Sequence, residues 1–168
     1  MSKGKLLKGT AILTIVGIIT RLIGFVYKIF LSNILGAEML GVYHLIFPVY
    51  SICYNIYGTG IQTTISRFVA LELGKKNYKN TVKVLRIGLF FSVSIAIIIS
   101  FFVFINANYI ASNIIYEPRI SSSLKILSIV FPFCGVTACI NGYYYGLTKS
   151  NVPAMTQLVE QIIRVSIG

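Results

Sequence analysis

Arg21 and Lys28 make the clearest chemical demand in this sequence, because both lie inside a long apolar run, Thr10 to Ile34. A charged side chain near the centre of a bilayer costs roughly 2.5–3.5 kcal/mol on insertion scales, so it needs a partner, a hydrated cavity or a ligand. Thr10, Thr14, Gly17, Arg21, Gly24, Lys28 and Ser32 follow one another at intervals of four, three, four, three, four and four residues. At about 3.6 residues per turn they form one narrow stripe on a helix whose other faces are Ile, Leu, Val, Phe and Tyr. Arg21 falls near the middle of that helix, and Lys28 lies seven residues on, about 10 Å nearer its outer end. The chemistry on offer is anion binding, with a guanidinium fork suited to phosphate and an ammonium beyond it. The plainer alternative is an ion pair with a carboxylate elsewhere in the protein, since no acid in the first four apolar runs lies at the depth of either cation.

Other polar residues could extend such a pathway. Asn55 and Gln62 belong to a second stripe, Ser51, Asn55, Thr59, Gln62 and Ser66, beside an aromatic stripe of Tyr43, Phe47, Tyr50, Tyr54 and Tyr57. Polar residues at helical spacing in a membrane most often bond a neighbouring helix, and lining a pathway is the sharper alternative. The last segment carries Gln157, Glu160, Gln161 and Arg164, with Glu160 and Arg164 four apart and able to pair on one face. Helix-packing positions are expected at Gly17 and Gly24, and along the small-x-x-x-small ridge of Ala138, Gly142 and Gly146.

Enzyme chemistry finds no footing. Cys53, Cys134 and Cys139 lie in apolar runs without a C-x-x-C pair, and His44 is the only histidine, so neither a zinc site nor a His cluster is expected. Gly36 and Gly41 have the spacing of a phosphate loop, but no Lys-Ser/Thr follows and no strand precedes. The expectation is no catalytic residue, no metal and no cofactor.

The elements that must position these residues are membrane helices. Hydrophobic residues make up 56%, charged residues 11%, and the mean hydropathy is +0.83, too apolar for an ordinary soluble domain. The fold class is therefore all-α: a polytopic transmembrane bundle with spans near 10–34, 42–71, 84–105, 124–147 and an incomplete fifth over 153–168. Leu35 to Gly41 reads as a short turn, and Asn106 to Ser122 as the longest polar connection. Pro48, Gly58 and Gly60 are expected points of bending. Span three, rich in Ile, Phe, Val and Ser, reads as lipid-facing. Pro48–Gly58 and Pro132–Gly142 share a spacing of ten residues, a weak hint of a repeated hairpin.

The net charge of +11 points to anionic membrane lipids, not nucleic acid, because the cations cluster in short connections. Nine of them (Lys3, Lys5, Lys8, Lys75, Lys76, Lys79, Lys83, Arg86 and Lys149) fall on one predicted side, and two (Arg119 and Lys125) on the other. The positive-inside rule then puts the N-terminus in the cytoplasm. From Pro153 the fifth segment has sixteen residues, about 24 Å against a hydrocarbon core of about 30 Å. The expectation is an N-terminal piece of a longer transporter, completed by C-terminal helices of the same protein.

Several stretches carry a resemblance: RLIGF from Arg21, LGAEMLGVYHLIFPVY from Leu35, GIQTTISRFVA from Gly60 and VPAMTQLVEQIIRV from Val152. Together they resemble the stage V sporulation protein B / polysaccharide-biosynthesis family of the multidrug/oligosaccharidyl-lipid/polysaccharide exporter superfamily, related to MviN-type lipid II flippases. The resemblance covers most of the chain. It implies about fourteen helices in two lobes around a central cavity, and movement of an undecaprenyl-diphosphate-linked saccharide across the bacterial plasma membrane by alternating access. It also implies that Arg21 matches the first arginine of the pattern Arg-x-x-Gly-x-x-Arg. The second falls on Tyr27, with the cation one place later at Lys28, and a further cationic position falls near Ile52.

The expected function is thus a lipid-linked saccharide flippase for cell-wall, spore-cortex or polysaccharide synthesis, with a lipid-linked saccharide as its partner. Two alternatives stand beside it. A multidrug or cation antiporter on the same architecture needs intramembrane carboxylates, of which these spans offer only Glu160. A non-transporting membrane scaffold for cell-wall enzymes needs no cationic stripe at all.

Overall fold

A computed structural model describes the backbone of residues 3–167 and the side chains of residues 11, 13–34, 36 and 38–163. Six α-helices follow one another: α1 (Lys3–His44), α2 (Ile46–Tyr54), α3 (Gly60–Gly74), α4 (Tyr78–Tyr109), α5 (Ser121–Gly146) and α6 (Asn151–Ile167). There is no strand among the described residues. Four stretches are long and apolar enough to cross a membrane: Leu13–Ile34, Glu38–Gly74, Tyr78–Ile114 and Pro118–Gly146. The architecture is an all-α, multi-pass membrane bundle.

The first reversal is tighter than the seven-residue turn expected at Leu35–Gly41. Helix continues on both sides of a single non-helical residue, Gly36, with φ 78° and ψ 164°. That backbone region is closed to residues with a Cβ, so one glycine does the work of a loop.

The polar connection expected over Asn106–Ser122 is also corrected. Helical winding runs on through Ile114 as a π-helical turn, closed by Ile115 N–H donating to Ile110 C=O at 3.0 Å. Asn106 does not break the helix, because its amide donates to the Phe102 carbonyl at 2.9 Å. A second π-helical turn, Asn55–Thr59, joins α2 to α3 and contains Gly58, one of the bending points expected from the sequence.

Span three is not the lipid-facing helix that its composition predicted. The most extensive packing in the molecule is that of α4 against α5. Gly88, Ser92, Ala96 and Ser100, four residues apart, form a ridge of small side chains, continued by buried Val103, Ala107 and Ala111. Small residues let two backbones approach closely, which drives association where lipid tails are as apolar as leucine. The core lies between α2–α3, α4 and α5, around Tyr57, Ala96, Leu124 and Phe131. Large exposed side chains such as Phe90, Phe101 and Phe102 remain on the outer face of α4.

Prolines create two local problems. Pro48 has no N–H to offer the His44 carbonyl, and the chain breaks there, α1 ending at His44 and α2 starting at Ile46. Pro132 likewise strands the Ser128 carbonyl inside α5. Here the helix continues because Ser100 of α4 donates its hydroxyl to that carbonyl at 2.6 Å.

Candidate functional site

The cationic stripe sits apart from the core. Val16 is the only buried residue among the described side chains of α1, and that helix packs mainly on α6. The two helices come close at Gly24, where an added Cβ would lie 3.1 Å from Gln161 Nε2.

Just beyond this contact is a partly open cavity of about 120 Å³, lined by Gly24, Tyr27, Lys28 and Leu31 on one side of Gly36, by Leu40, Tyr43, His44 and Phe47 on the other, and by Gln161. Lys28 and His44 are sixteen residues apart; in a straight helix they would be about 24 Å apart. They share one small cavity because the chain folds back at Gly36, which stands eight residues from each. Outside the turn, Glu38 pairs with Arg119 at 3.0 Å, tying the reversal to the short 3-10 turn Pro118–Ile120 that precedes α5.

The electrostatics of the cavity are one-sided. Lys28 lines it, no carboxylate does, and neither Lys28 nor Arg21 meets an acid among the described residues. The His44 ring packs against Tyr43 and Phe47, with centroids at 5.8 and 5.5 Å, and those two rings also meet each other at 5.4 Å. Its Nε2 is buried without a hydrogen-bond partner among the described residues. A buried polar atom left unpaired costs about 1–3 kcal/mol, which sets this ring apart from the other side chains around the cavity.

The structure thus gathers Gly24, Lys28 and Gln161, and divides the remaining candidates. Arg21 is exposed two turns below Lys28 on the same stripe, outside the cavity. Gly17 lies on that stripe with no atom of the described residues within 4 Å of where its Cβ would be. Gln157 is exposed on α6. Glu160 lines a separate open groove beside Thr137 and Met155, so it does not face Lys28 across the cavity. The Arg164 side chain lies outside the described residues. Asn55 is exposed in the π-helical turn, while Gln62 borders a groove with Ser66, Arg67 and Tyr145 near the opposite end of the bundle.

The small ridge on α5 meets α3 at short range. A Cβ on Gly142 would stand 2.6 Å from the Gln62 carbonyl oxygen, and one on Gly146 2.7 Å from that of Ser66, while Ala138 is fully buried. The C-terminal half of the second polar stripe therefore faces a helix, and Ser51, Asn55 and Thr59 in its N-terminal half are exposed.

His44 is the residue that reading the sequence for function passed over. Its signal was its equal spacing from Gly36 with Lys28, legible only once the glycine is known to be the point of reversal. Among the described residues no three His, Cys, Asp or Glu side chains converge to hold a metal ion.

Comparison with known proteins identifies the lineage. Residues 6–168 match the family described as polysaccharide biosynthesis protein. The chain is 27% identical over 167 residues to stage V sporulation protein B of Bacillus subtilis (strain 168), covering 99% of this chain and 32% of that protein. It is 25% identical over 169 residues to lipid II flippase MurJ of the same organism, covering 96% of this chain and 31% of that protein. A third relative there, the uncharacterized membrane protein YabM, is 22% identical over 160 residues. The chain spans about a third of the length of these relatives. No solved structure matches significantly. A multi-pass bundle whose sequence matches this family almost from end to end, the chain belongs to the polysaccharide biosynthesis protein family.

Proposed function

We propose that the protein is a flippase, not an enzyme, that moves a lipid-linked saccharide or peptidoglycan precursor on an undecaprenyl-diphosphate carrier across the bacterial plasma membrane. Its product would serve cell-wall, spore-cortex or polysaccharide synthesis. The observation that carries this reading is the cationic stripe of α1, whose Arg21 and Lys28 meet no carboxylate among the described residues. A diphosphate headgroup supplies the missing anion, with Arg21 offering its fork near mid-membrane and Lys28 taking over toward the outer end. Gln157 and Gln161 on α6, and Asn55 and Gln62 on the second span, hydrogen-bond saccharide or peptide groups as the headgroup passes. Glu160 and Arg164 add polar groups to α6, Glu160 on the separate groove beside Thr137 and Met155.

Alternating access drives the cycle: the remaining helices of the protein close the cavity on one side and open it on the other. The ligand shifts that balance only through different affinities for the two states. The relatives named for sporulation and for lipid II flipping support the assignment. The N-terminus lies in the cytoplasm in this reading, which the nine-to-two distribution of cations supports.

The test is reconstitution of the protein at its full natural length with a labelled lipid-linked saccharide. A charge-assisted hydrogen bond is worth about 1.5–3 kcal/mol, so Arg21→Ala and Lys28→Ala should each lower transport at limiting substrate by about tenfold or more. Transport unchanged in both variants would remove these residues from the pathway.

A further inference from the structure

We propose that His44, with Lys28 and Gln161, forms a proton-sensitive phosphoryl-binding subsite at the outer end of the α1 pathway. The phosphoryl identity of the ligand rests on the flippase reading; the subsite itself rests on geometry. Three separate segments converge on one cavity of about 120 Å³, room for a few waters or a single phosphoryl group. Each brings a group that a phosphoryl oxygen accepts from: the Lys28 ammonium, the Gln161 amide and the His44 imidazole. The His44 ring borders the cavity, and its Nε2 has no hydrogen-bond partner among the described residues.

The protonation state of His44 sets the charge of the subsite. Lys28 and Tyr27 face it from α1, Tyr43 adjoins it, Phe47 faces it from α2 and Gln161 from α6. None of these side chains is a carboxylate, so an imidazolium beside the Lys28 ammonium has no resident counter-ion in the cavity. A bound phosphoryl group provides one. Binding and protonation are therefore linked: the anion favours the imidazolium, and by the same factor the imidazolium tightens the anion. An imidazolium adds a positive charge that the anion meets, so affinity rises as pH falls and weakens as pH rises.

The experiment uses the full-length protein in phosphatidylcholine nanodiscs, with binding of farnesyl diphosphate and of inorganic pyrophosphate measured by calorimetry near pH 6 and pH 8. His44→Gln retains an amide donor but cannot charge, and it also corrects for titration of the ligand itself. His44→Phe keeps the aromatic packing and removes the donor. The wild type should gain about tenfold more affinity for farnesyl diphosphate between pH 8 and pH 6 than His44→Gln does, the size of one charge-assisted hydrogen bond. His44→Phe should bind more weakly than His44→Gln at both pH values. Tighter binding of farnesyl diphosphate than of pyrophosphate would assign the subsite to a lipid headgroup, and equal binding to phosphate from either source. Wild-type affinity and pH dependence in both variants would reduce His44 to an aromatic packing residue and overturn the subsite, as would a wild type that binds neither probe. The flippase reading is judged separately, by transport of the lipid-linked saccharide.

Discussion

Ser100 and Pro132 are a matched pair on facing helices. The proline leaves the Ser128 carbonyl without its i+4 donor, and the hydroxyl of Ser100 fills the gap from α4 at 2.6 Å. Removing that hydroxyl strands a buried carbonyl in an apolar setting. Hydrogen bonds inside membranes average about 0.6 kcal/mol, and an unsatisfied buried acceptor costs about 1–3 kcal/mol. Ser100→Ala is therefore expected to destabilise the bundle by about 1 kcal/mol. In a Pro132→Ala background the restored N–H serves Ser128 directly, and the same change should cost much less. A double-mutant cycle of unfolding in detergent measures this coupling; purely additive effects would show that the two residues act independently. Buried Ser92 plays a similar part at the π-helical turn, donating to the Tyr57 carbonyl at 2.8 Å.

At the scale of elements, the decisive feature is the single-residue reversal at Gly36. A side chain at its φ of 78° and ψ of 164° is strained by about 1–3 kcal/mol. Relief comes from opening the reversal, which pulls Leu31 away from Leu40 and Lys28 away from His44. With the native cysteines removed, the pair Leu31→Cys and Leu40→Cys should cross-link readily through a short thiol reagent. Adding Gly36→Val should slow that reaction several-fold and weaken substrate binding with it. Undiminished cross-linking in the Gly36→Val variant would show that the reversal does not depend on glycine. The α4–α5 pair shows the opposite strategy, in which the backbone stays regular and small side chains bring the helices together.

Across the whole molecule, the spans alternate in direction and sort the turns onto two ends. Glu38 and Arg119 meet at one end. At the other, Gly146 abuts Ser66 and Val69, near the basic segment after Glu72. If nine cations hold the second end in the cytoplasm, Lys79→Cys should react with a membrane-impermeant maleimide only in inverted vesicles. Arg119→Cys should react only in right-side-out cells. The reverse pattern would invert the topology and place Lys28 and His44 on the cytoplasmic half of the pathway. The separation of α1 and α6 from the core also matters for function: the cationic stripe rides on the helix pair with the least packing to hold it, where a moving element belongs.

Much of this protein is legible in its sequence because a membrane permits few solutions. Long apolar runs must be helices, since nothing else satisfies the backbone in lipid, and the intervals from Thr10 to Ser32 place Arg21 and Lys28 on one face by helical geometry alone. Gly142 and Gly146 announced a close approach by size and spacing. The equivalent ridge from Gly88 to Ser100 was present too, but hydrophobic composition masked it, because lipid and protein neighbours favour the same side chains. Only the tertiary structure decided that Gly36 carries the whole reversal, that Gln161 and not Glu160 joins Lys28, and that His44 completes the cavity. Those outcomes depend on where separate helices meet, and a one-dimensional pattern sets which face a residue occupies without setting which helix that face will find.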